Sequence, residues 1–199
     1  MFARTITAAR RAPRAPLLGL VAAVVVCASP WLTDLLQFDR TRVASGEWWR
    51  LVTGHWTHWT LDHLWWDGAV FFVLAAVCER LDRTLLLRAV VLSVPTCSAA
   101  VWWLAPELDT YRGLSGIDSA LLGAIGAKVV VDALSNGDWR RSVLPMGLVL
   151  AFAAKTACEV ATGTTIFVDS VAAGTVAVPV AHVAGLLAGV AVGLAEGRV

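Results

Sequence analysis

The sequence predicts an all-α, polytopic membrane protein built as a bundle of six transmembrane helices. Hydrophobic residues make up 58% of the 199 residues and charged ones 16%, where a soluble domain carries roughly a quarter charged. The apolar excess falls in long blocks separated by short charged ones, and the blocks approach the ~20 residues a spanning helix needs. Lys and Arg favour alternate inter-block segments, as in a chain inserted with one orientation.

Residues 1–15 form a basic N-terminal segment with Arg4, Arg10, Arg11 and Arg14 and no acid. Residues 16–199 read as one membrane domain, because no segment is long and polar enough for a second, soluble one. The first apolar run extends from Pro16 to about Leu36. Its basic flank and Cys27-Ala28-Ser29 resemble a cleavable signal peptide. The run continues through Trp31, Leu32, Leu35 and Leu36, however, and is long enough to span.

Residues 37–60 are a loop rich in Trp (Trp48, Trp49, Trp56, Trp59), which places it in the headgroup region. A second span runs from about Leu61 to Val77 and ends at the cluster Glu79-Arg80-Leu81-Asp82-Arg83. A third covers about Leu85 to Leu104, with Pro95 inside. The loop Ala105 to Leu114 leads to a fourth span, about Ser115 to Leu134. After the charged turn Asn136 to Arg141, a fifth runs from about Val143 to Ala161. A polar, small-residue segment, Thr162 to Ala173, precedes the sixth, about Gly174 to Ala195.

With the N-terminus cytoplasmic, that side holds Arg4, Arg10, Arg11, Arg14, Arg80, Arg83, Arg88, Lys128, Arg140, Arg141 and Arg198. The other side holds Arg40, Arg42, Arg50 and Arg112. This bias predicts both termini in the cytoplasm. The basic residues are few and lie beside apolar blocks, which argues against a nucleic-acid partner. Cys27, Cys78, Cys97 and Cys158 are scattered singly, without the spacing of a metal or redox motif.

Ser115 lies between Gly113-Leu114 and Gly116 at the start of the fourth span. The unsatisfied amides and the positive dipole end of a helix start can hold a developing negative charge. The base to activate it is His182, eight residues into the sixth span, or roughly 12 Å at the helical rise. Ser115 matches that depth if the loop before it dips into the membrane. Small residues at four-residue spacing let helices in lipid approach closely. Ser115, Ser119, Gly123 and Ala127 form such a stripe on span four, next to Gly116. Ala181, Gly185, Gly189 and Gly193 form another on span six, beside His182. Packing the two together brings serine and histidine into contact. A neutral imidazole taking the serine proton is general-base activation of a nucleophile. No carboxylate lies at an obvious spacing to orient the imidazole, so a Ser–His dyad is expected.

His63 and Asp67 share one face of span two, with His55 and His58 in the loop before them. A zinc site from His58, His63 and Asp67 is disfavoured, because no His-x-x-x-His pair or cysteine accompanies them. No metal or cofactor is expected. The other reading is an oxyanion hole in which His63 donates to the oxygen of an attacked carbonyl.

From about residue 44 to 194 the chain resembles a rhomboid intramembrane serine protease. Trp49-Arg50 with Thr53 and His58 resembles the family's loop-one motif. His63 and Asp67 fall where the family has His-x-x-x-Asn. Gly113-Leu114-Ser115-Gly116 resembles its Gly-x-Ser-Gly nucleophile motif, and Ala181 to Gly189 resembles its span-six histidine followed by glycines. The rhombosortase branch is closer still, with Gly-Glu-Trp-Trp-Arg at Gly46 to Arg50, Tyr-x-Gly-Leu-Ser-Gly at Tyr111 to Gly116, and Lys-x-x-x-Glu at Lys155 and Glu159. The resemblance implies a rhomboid-like bundle in a bacterial inner membrane. It implies a Ser115–His182 endopeptidase, with His63, Asp67, His58 and Gly113 around the oxyanion. Its substrates would be membrane-anchored proteins cut near the outer face, with a C-terminal Gly-Gly, apolar-helix, basic-tail signal.

Two positions depart from the family. Asp67 replaces Asn, and an ionised carboxylate cannot donate to an oxyanion. It is either protonated by burial or orients His63. Ser119 stands where many rhomboids place a Tyr against the histidine. Lys155 and Glu159 read as an intramembrane ion pair at four-residue spacing or as a substrate-recognition pair. Two other functions stay open: a rhomboid-like protein that binds transmembrane segments without cutting them, and a small transporter. The presence of both Ser115 and His182 weighs against the first, and the lack of an internal repeat against the second.

Overall fold

Pro30 divides the first apolar run. In the computed structural model, which describes residues 14–166 and 178–197, helix α1 (Arg14–Cys27) and helix α2 (Pro30–Leu36) meet at 110°. The single span expected over residues 16–36 is therefore a bent pair. The residue before a proline is held out of the helical region, and proline itself suits the first helical position. Ser29 is accordingly extended (φ −122°, ψ 104°), and its side chain accepts the Leu32 amide at 3.4 Å. Thr33 Oγ1 closes the corner by donating to the Val26 carbonyl at 2.9 Å.

Residues 37–60, expected as a loop, contain regular structure. Strand β1 (Phe38–Asp39) is followed by the short helices α3 (Arg40–Ala44) and α4 (Arg50–Thr53) and a 3₁₀ turn over Gly54–Trp56. Strand β1 pairs antiparallel with β2 (Thr110–Tyr111), Phe38 opposite Tyr111. Arginines fasten this segment. Arg40 donates to the carbonyls of Val101, Trp102, Ala105 and Leu108 at 2.9–3.1 Å. Two of these carbonyls, of Val101 and Trp102, belong to the last turn of helix α6 (Arg83–Leu104), and two lie just beyond its end. The buried Arg50 pairs with Glu47 at 2.6 Å and donates to the Asp34 and Gln37 carbonyls. His55, fully enclosed, places Nε2 3.0 Å from Ser98 Oγ and 3.2 Å from the Val94 carbonyl on α6.

Helix α5 (Leu61–Leu81) starts at Thr60, whose hydroxyl accepts the His63 amide at 3.1 Å. It runs four residues past the expected end and stops at Asp82. That residue caps α6 by accepting the Thr84 amide at 2.7 Å. Helices α7 (Ser115–Ser135) and α8 (Val143–Thr162) follow, joined by a 3₁₀ turn over Trp139–Ser142. Gly163 ends α8 in the left-handed conformation (φ 69°), the usual glycine stop. Helix α9 is Pro179–Glu196. It begins later than the expected Gly174, with Pro179 at its first position. Residues 174–177 lie outside the described residues, as do residues 1–13 of the basic N-terminal segment, residues 167–173 of the polar segment, and Arg198. His182 thus stands in the first described turn of α9, not two turns down a span.

Four stretches are long and apolar enough to cross a membrane: Leu61–Leu81, Arg83–Leu104, Trp139–Thr162 and Pro179–Glu196. The bent α1–α2 pair makes a fifth if it counts as one span. The six-span count is not reached on these grounds. Helix α7, similar in length, carries Asp118, Lys128 and Asp132. It is the centre of the bundle, in contact with α5, α6, α8 and α9. Helix α8 is peripheral: 11% of its apolar window is buried inside the protein, against 39–44% for the other three.

The contact between α7 and α9 is the most extensive in the molecule. A Cβ on Gly185 would land on the Gly116 carbonyl oxygen, one on Gly189 on that of Ala120, and one on Gly193 on that of Ala124. From the other side, a Cβ on Gly123 would lie 2.6 Å from the Leu186 carbonyl oxygen. The α9 glycines thus meet the Gly116–Ala120–Ala124 stripe of α7, one residue round from the expected Ser115–Ser119 stripe, with Gly123 beside it. Ser119 is fully buried and bonds its own helix, donating to the Ser115 carbonyl at 2.6 Å.

Because only backbone faces Gly189, Gly189→Val should destabilise the protein by ~1–3 kcal/mol or more. Gly147→Ala on α8, where a Cβ meets nothing within 4 Å, should be neutral or up to ~1 kcal/mol stabilising. Thermal unfolding in detergent reads both, and equal effects would contradict the seam.

Burial pushes His55 and His58 down to about 4, in His58 against the opposing charge of Asp67. Both are neutral in the docked loop at pH 7. Once undocked they protonate near 6.5, so docking weakens as pH falls from about 6.5 to 4, by ~1.4 kcal/mol per pH unit for each ring. Amide-exchange protection factors of Gly54–Trp56 should fall at least about tenfold per pH unit across that window. A flat profile would refute neutral burial.

Candidate active site

Ser115 is the first residue of α7, preceded by Leu114 in helical conformation, and no side chain caps the helix start. Its first amides therefore lack both an intrahelical acceptor and a capping group. The chain enters this turn through Gly113 at φ +123°, a conformation open to glycine and strained for other residues. Space demands glycine there as well, since a Cβ would lie 2.9 Å from both Asp67 Oδ2 and His63 Nε2.

His182, in the first turn of α9, is 7% exposed and presents Nε2 to Ser115 Oγ at 3.0 Å. The two residues face each other because α7 and α9 both begin at this level and their backbones touch along the glycine seam. Next to them, Cys97 Sγ of α6 donates to the Ala181 carbonyl at 3.4 Å and fills the space beside Gly116.

The face of α5 completes one side. His63 Nε2 lies 3.1 Å from Asp67 Oδ2, and His58 Nε2 lies 3.7 Å from the same oxygen. The His58 and His63 rings meet edge to face at 5.1 Å. Asp67 thus faces two imidazoles, and the His63 nitrogen expected to donate to an oxyanion points at the carboxylate here. Among the described residues, no three His, Cys, Asp or Glu side chains are placed to hold a metal ion.

Arg112, two residues before Leu114, spans the entrance. Its guanidinium donates to Gln37 Oε1 at 2.6 and 2.8 Å and stacks over the Trp59 ring at 4.1 Å. A cleft opens between α5, α7, α8 and α9, lined by Trp59, His63, Asp67, Arg112, Ser115 and His182. Lys155 and Glu159 reach it from α8.

Helix α8 shows the expected Lys155–Glu159 ion pair and supplies what sequence reasoning missed, the surroundings of His182. Phe152 packs against the His182 ring edge to face, with centroids 6.1 Å apart. It occupies the neighbourhood where Ser119 offers no aromatic support. Lys155 Nζ lies 2.8 Å from both Glu159 oxygens, and Glu159 Oε2 lies 3.7 Å from His182 Nδ1. A carboxylate therefore does stand beside the imidazole, contributed by a different helix. Phe152, Lys155 and Glu159 follow one another at three and four residues on an otherwise apolar helix. That spacing marks one helix face, but nothing in it names His182 as the neighbour.

No curated protein matches the chain. A family model, the Rhomboid domain, matches residues 45–198. The match takes in loop one, the α5 histidine face, the serine turn and all of helix α9. The chain is a multi-pass membrane protein that belongs to the rhomboid family of intramembrane proteases.

Proposed function

We propose that the protein is an intramembrane serine endopeptidase acting through Ser115 and His182. The observation that carries this is the 3.0 Å approach of His182 Nε2 to Ser115 Oγ at a helix start inside a polar cleft. In this mechanism Ser115 Oγ attacks a substrate carbonyl carbon, and its proton passes to His182 Nε2. The carbonyl π pair moves to oxygen, where the Ser115 amide and a His63 ring N–H stabilise it. Collapse breaks the C–N bond, and His182 returns the proton to the leaving amine. Water then repeats the sequence on the acyl-enzyme. The 3.1 Å contact supports Asp67 as the group that orients His63. The 3.7 Å approach of His58 supports a role around the same carboxylate, and Gly113 leaves room for both.

The substrate class is a membrane-anchored protein cut near the outer face. The motifs at Gly46 to Arg50 and Tyr111 to Gly116 favour C-terminal Gly-Gly sorting tails of the rhombosortase kind. The Lys and Arg bias favours both termini cytoplasmic, the apolar runs favour six spans, and the rhombosortase-like motifs favour a bacterial inner membrane. No cofactor enters the scheme.

Ser115→Ala should abolish release of a tail-bearing substrate and labelling by a fluorophosphonate probe, at unchanged expression. Undiminished cleavage would overturn the nucleophile, and a wild-type protein that binds tails but is never labelled would favour a non-cutting binder. His63→Ala should lower kcat about a hundredfold. If Asp67 acts only through His63, Asp67→Ala with His63→Ala should cost no more than His63→Ala alone. Additive losses would separate the two roles.

A further inference from the structure

The imidazole of His182 has a second side. Its Nε2 faces Ser115, and its Nδ1 is buried without a hydrogen-bond partner among the described residues. Glu159 Oε2 stands 3.7 Å away, and Glu159 is the carboxylate in ion-pair range of the ring among the described residues. Its side chain is 1% exposed. Its other oxygen, Oε1, accepts the Ile166 amide at 3.1 Å, and Lys155 Nζ lies 2.8 Å away. The carboxylate is thereby fixed in direction. The other groups facing His182 are Phe152 and Lys155 from α8, His63 and Asp67 from α5, and Ser115 from α7. Asp67 is held by His63 beside Gly113, which leaves Glu159 as the partner for Nδ1.

We propose that Glu159, held by Lys155, is the positioning residue for His182, so that the reacting unit is a Ser115–His182–Glu159 relay instead of a dyad. This rests on the protease reading above. A neutral imidazole carries one N–H, and general-base action needs the Nε2 lone pair free toward Ser115. The proton must then sit on Nδ1, and a carboxylate on that side selects this tautomer. Closing the gap by about half an ångström makes an ordinary hydrogen bond, and such contacts are often long before substrate binds. During acylation the Ser115 proton moves to Nε2, while the Nδ1 proton stays on nitrogen and Glu159 stays ionised. The carboxylate offsets the imidazolium charge until Nε2–H passes to the leaving amine, so no further reactant is required. Lys155 keeps the carboxylate aimed.

The test compares Glu159→Gln, Glu159→Asp and the double variant Lys155→Met/Glu159→Gln in detergent or proteoliposomes. It reads kcat, KM and the rate of fluorophosphonate labelling. Glu159→Gln should lower kcat and labelling by about a hundredfold or more with KM changed less than about twofold. Glu159→Asp should recover part of the rate. The double variant, which leaves no orphan cation, should stay as slow as Glu159→Gln. If Lys155 and Glu159 only brace α8, the double variant should regain wild-type rates, and that result would sink the proposal. So would a Glu159→Gln kcat within about threefold of wild type.

A readout on the wild-type chain covers variants that fail to fold. Nitrogen-15 spectra of His182, assigned by loss of its signal in His182→Gln, should show the resting proton on Nδ1. A resting proton on Nε2 would overturn the relay. The tautomer is read without any cleavage, so it stands or falls separately from the protease reading, which fails if wild-type protein is never labelled at Ser115.

Discussion

Backbone-to-backbone contact between α7 and α9 is the constraint on which the rest of the molecule depends. In lipid there is no hydrophobic drive to press two apolar helices together, so close packing and short-range contacts must hold them. Gly185, Gly189 and Gly193 remove the side chains that would keep the helices apart, and carbonyl oxygens of α7 occupy the vacated space. This contact sets the axial register of the two helices. Ser115 and His182, both in first turns, then fall opposite each other. One side chain on the seam would separate the helices by more than the few tenths of an ångström that a hydrogen bond tolerates.

The segment before α5 answers a different demand. Helix ends in or near a membrane leave carbonyls that water cannot reach, and each unsatisfied group is costly. Arg40 gathers four carbonyls at and beyond the end of α6, Arg50 takes two around the end of α2, and Arg112 holds Gln37. The guanidinium suits this work because its planar fork makes several directed bonds while staying charged. These arginines bring β1 against β2 and hold the turn that leads into Gly113. The architecture of loop one and the placement of the serine are thus one structural problem.

The cleft gathers polar groups from four helices, α5, α7, α8 and α9, of an apolar bundle. Helix α5 offers His63 and Asp67, with His58 from the preceding loop, α7 its unsatisfied amides, α8 a lysine–glutamate pair with an aromatic edge, and α9 His182. Buried charges of this kind persist in a membrane protein only where they are paired or used. The peripheral position of α8 means that its polar stripe is held to the bundle by relatively few contacts. The Glu159–His182 approach is therefore the part of the site most sensitive to how α8 sits.

Much of this was legible in the chain itself. Apolar blocks and charged turns located α5 to α8 closely, because helix length in a membrane follows local composition. The Ser29-Pro30 break and the start of α9 at Pro179 were equally local, and a stricter reading of proline would have found both. Gly113, Ser115, His63, Asp67 and His182 announced themselves as residue types out of keeping with their surroundings. What the chain could not state was which faces meet. The rotation of α7 that puts Gly116, Ala120 and Ala124 on the seam, the arrival of Phe152 and Glu159 at His182, and the four carbonyls under Arg40 all join residues far apart in sequence. Composition and spacing determine which helices exist and what each carries. Only tertiary packing, through the close approach that glycine permits, decides which side chains share a hydrogen bond.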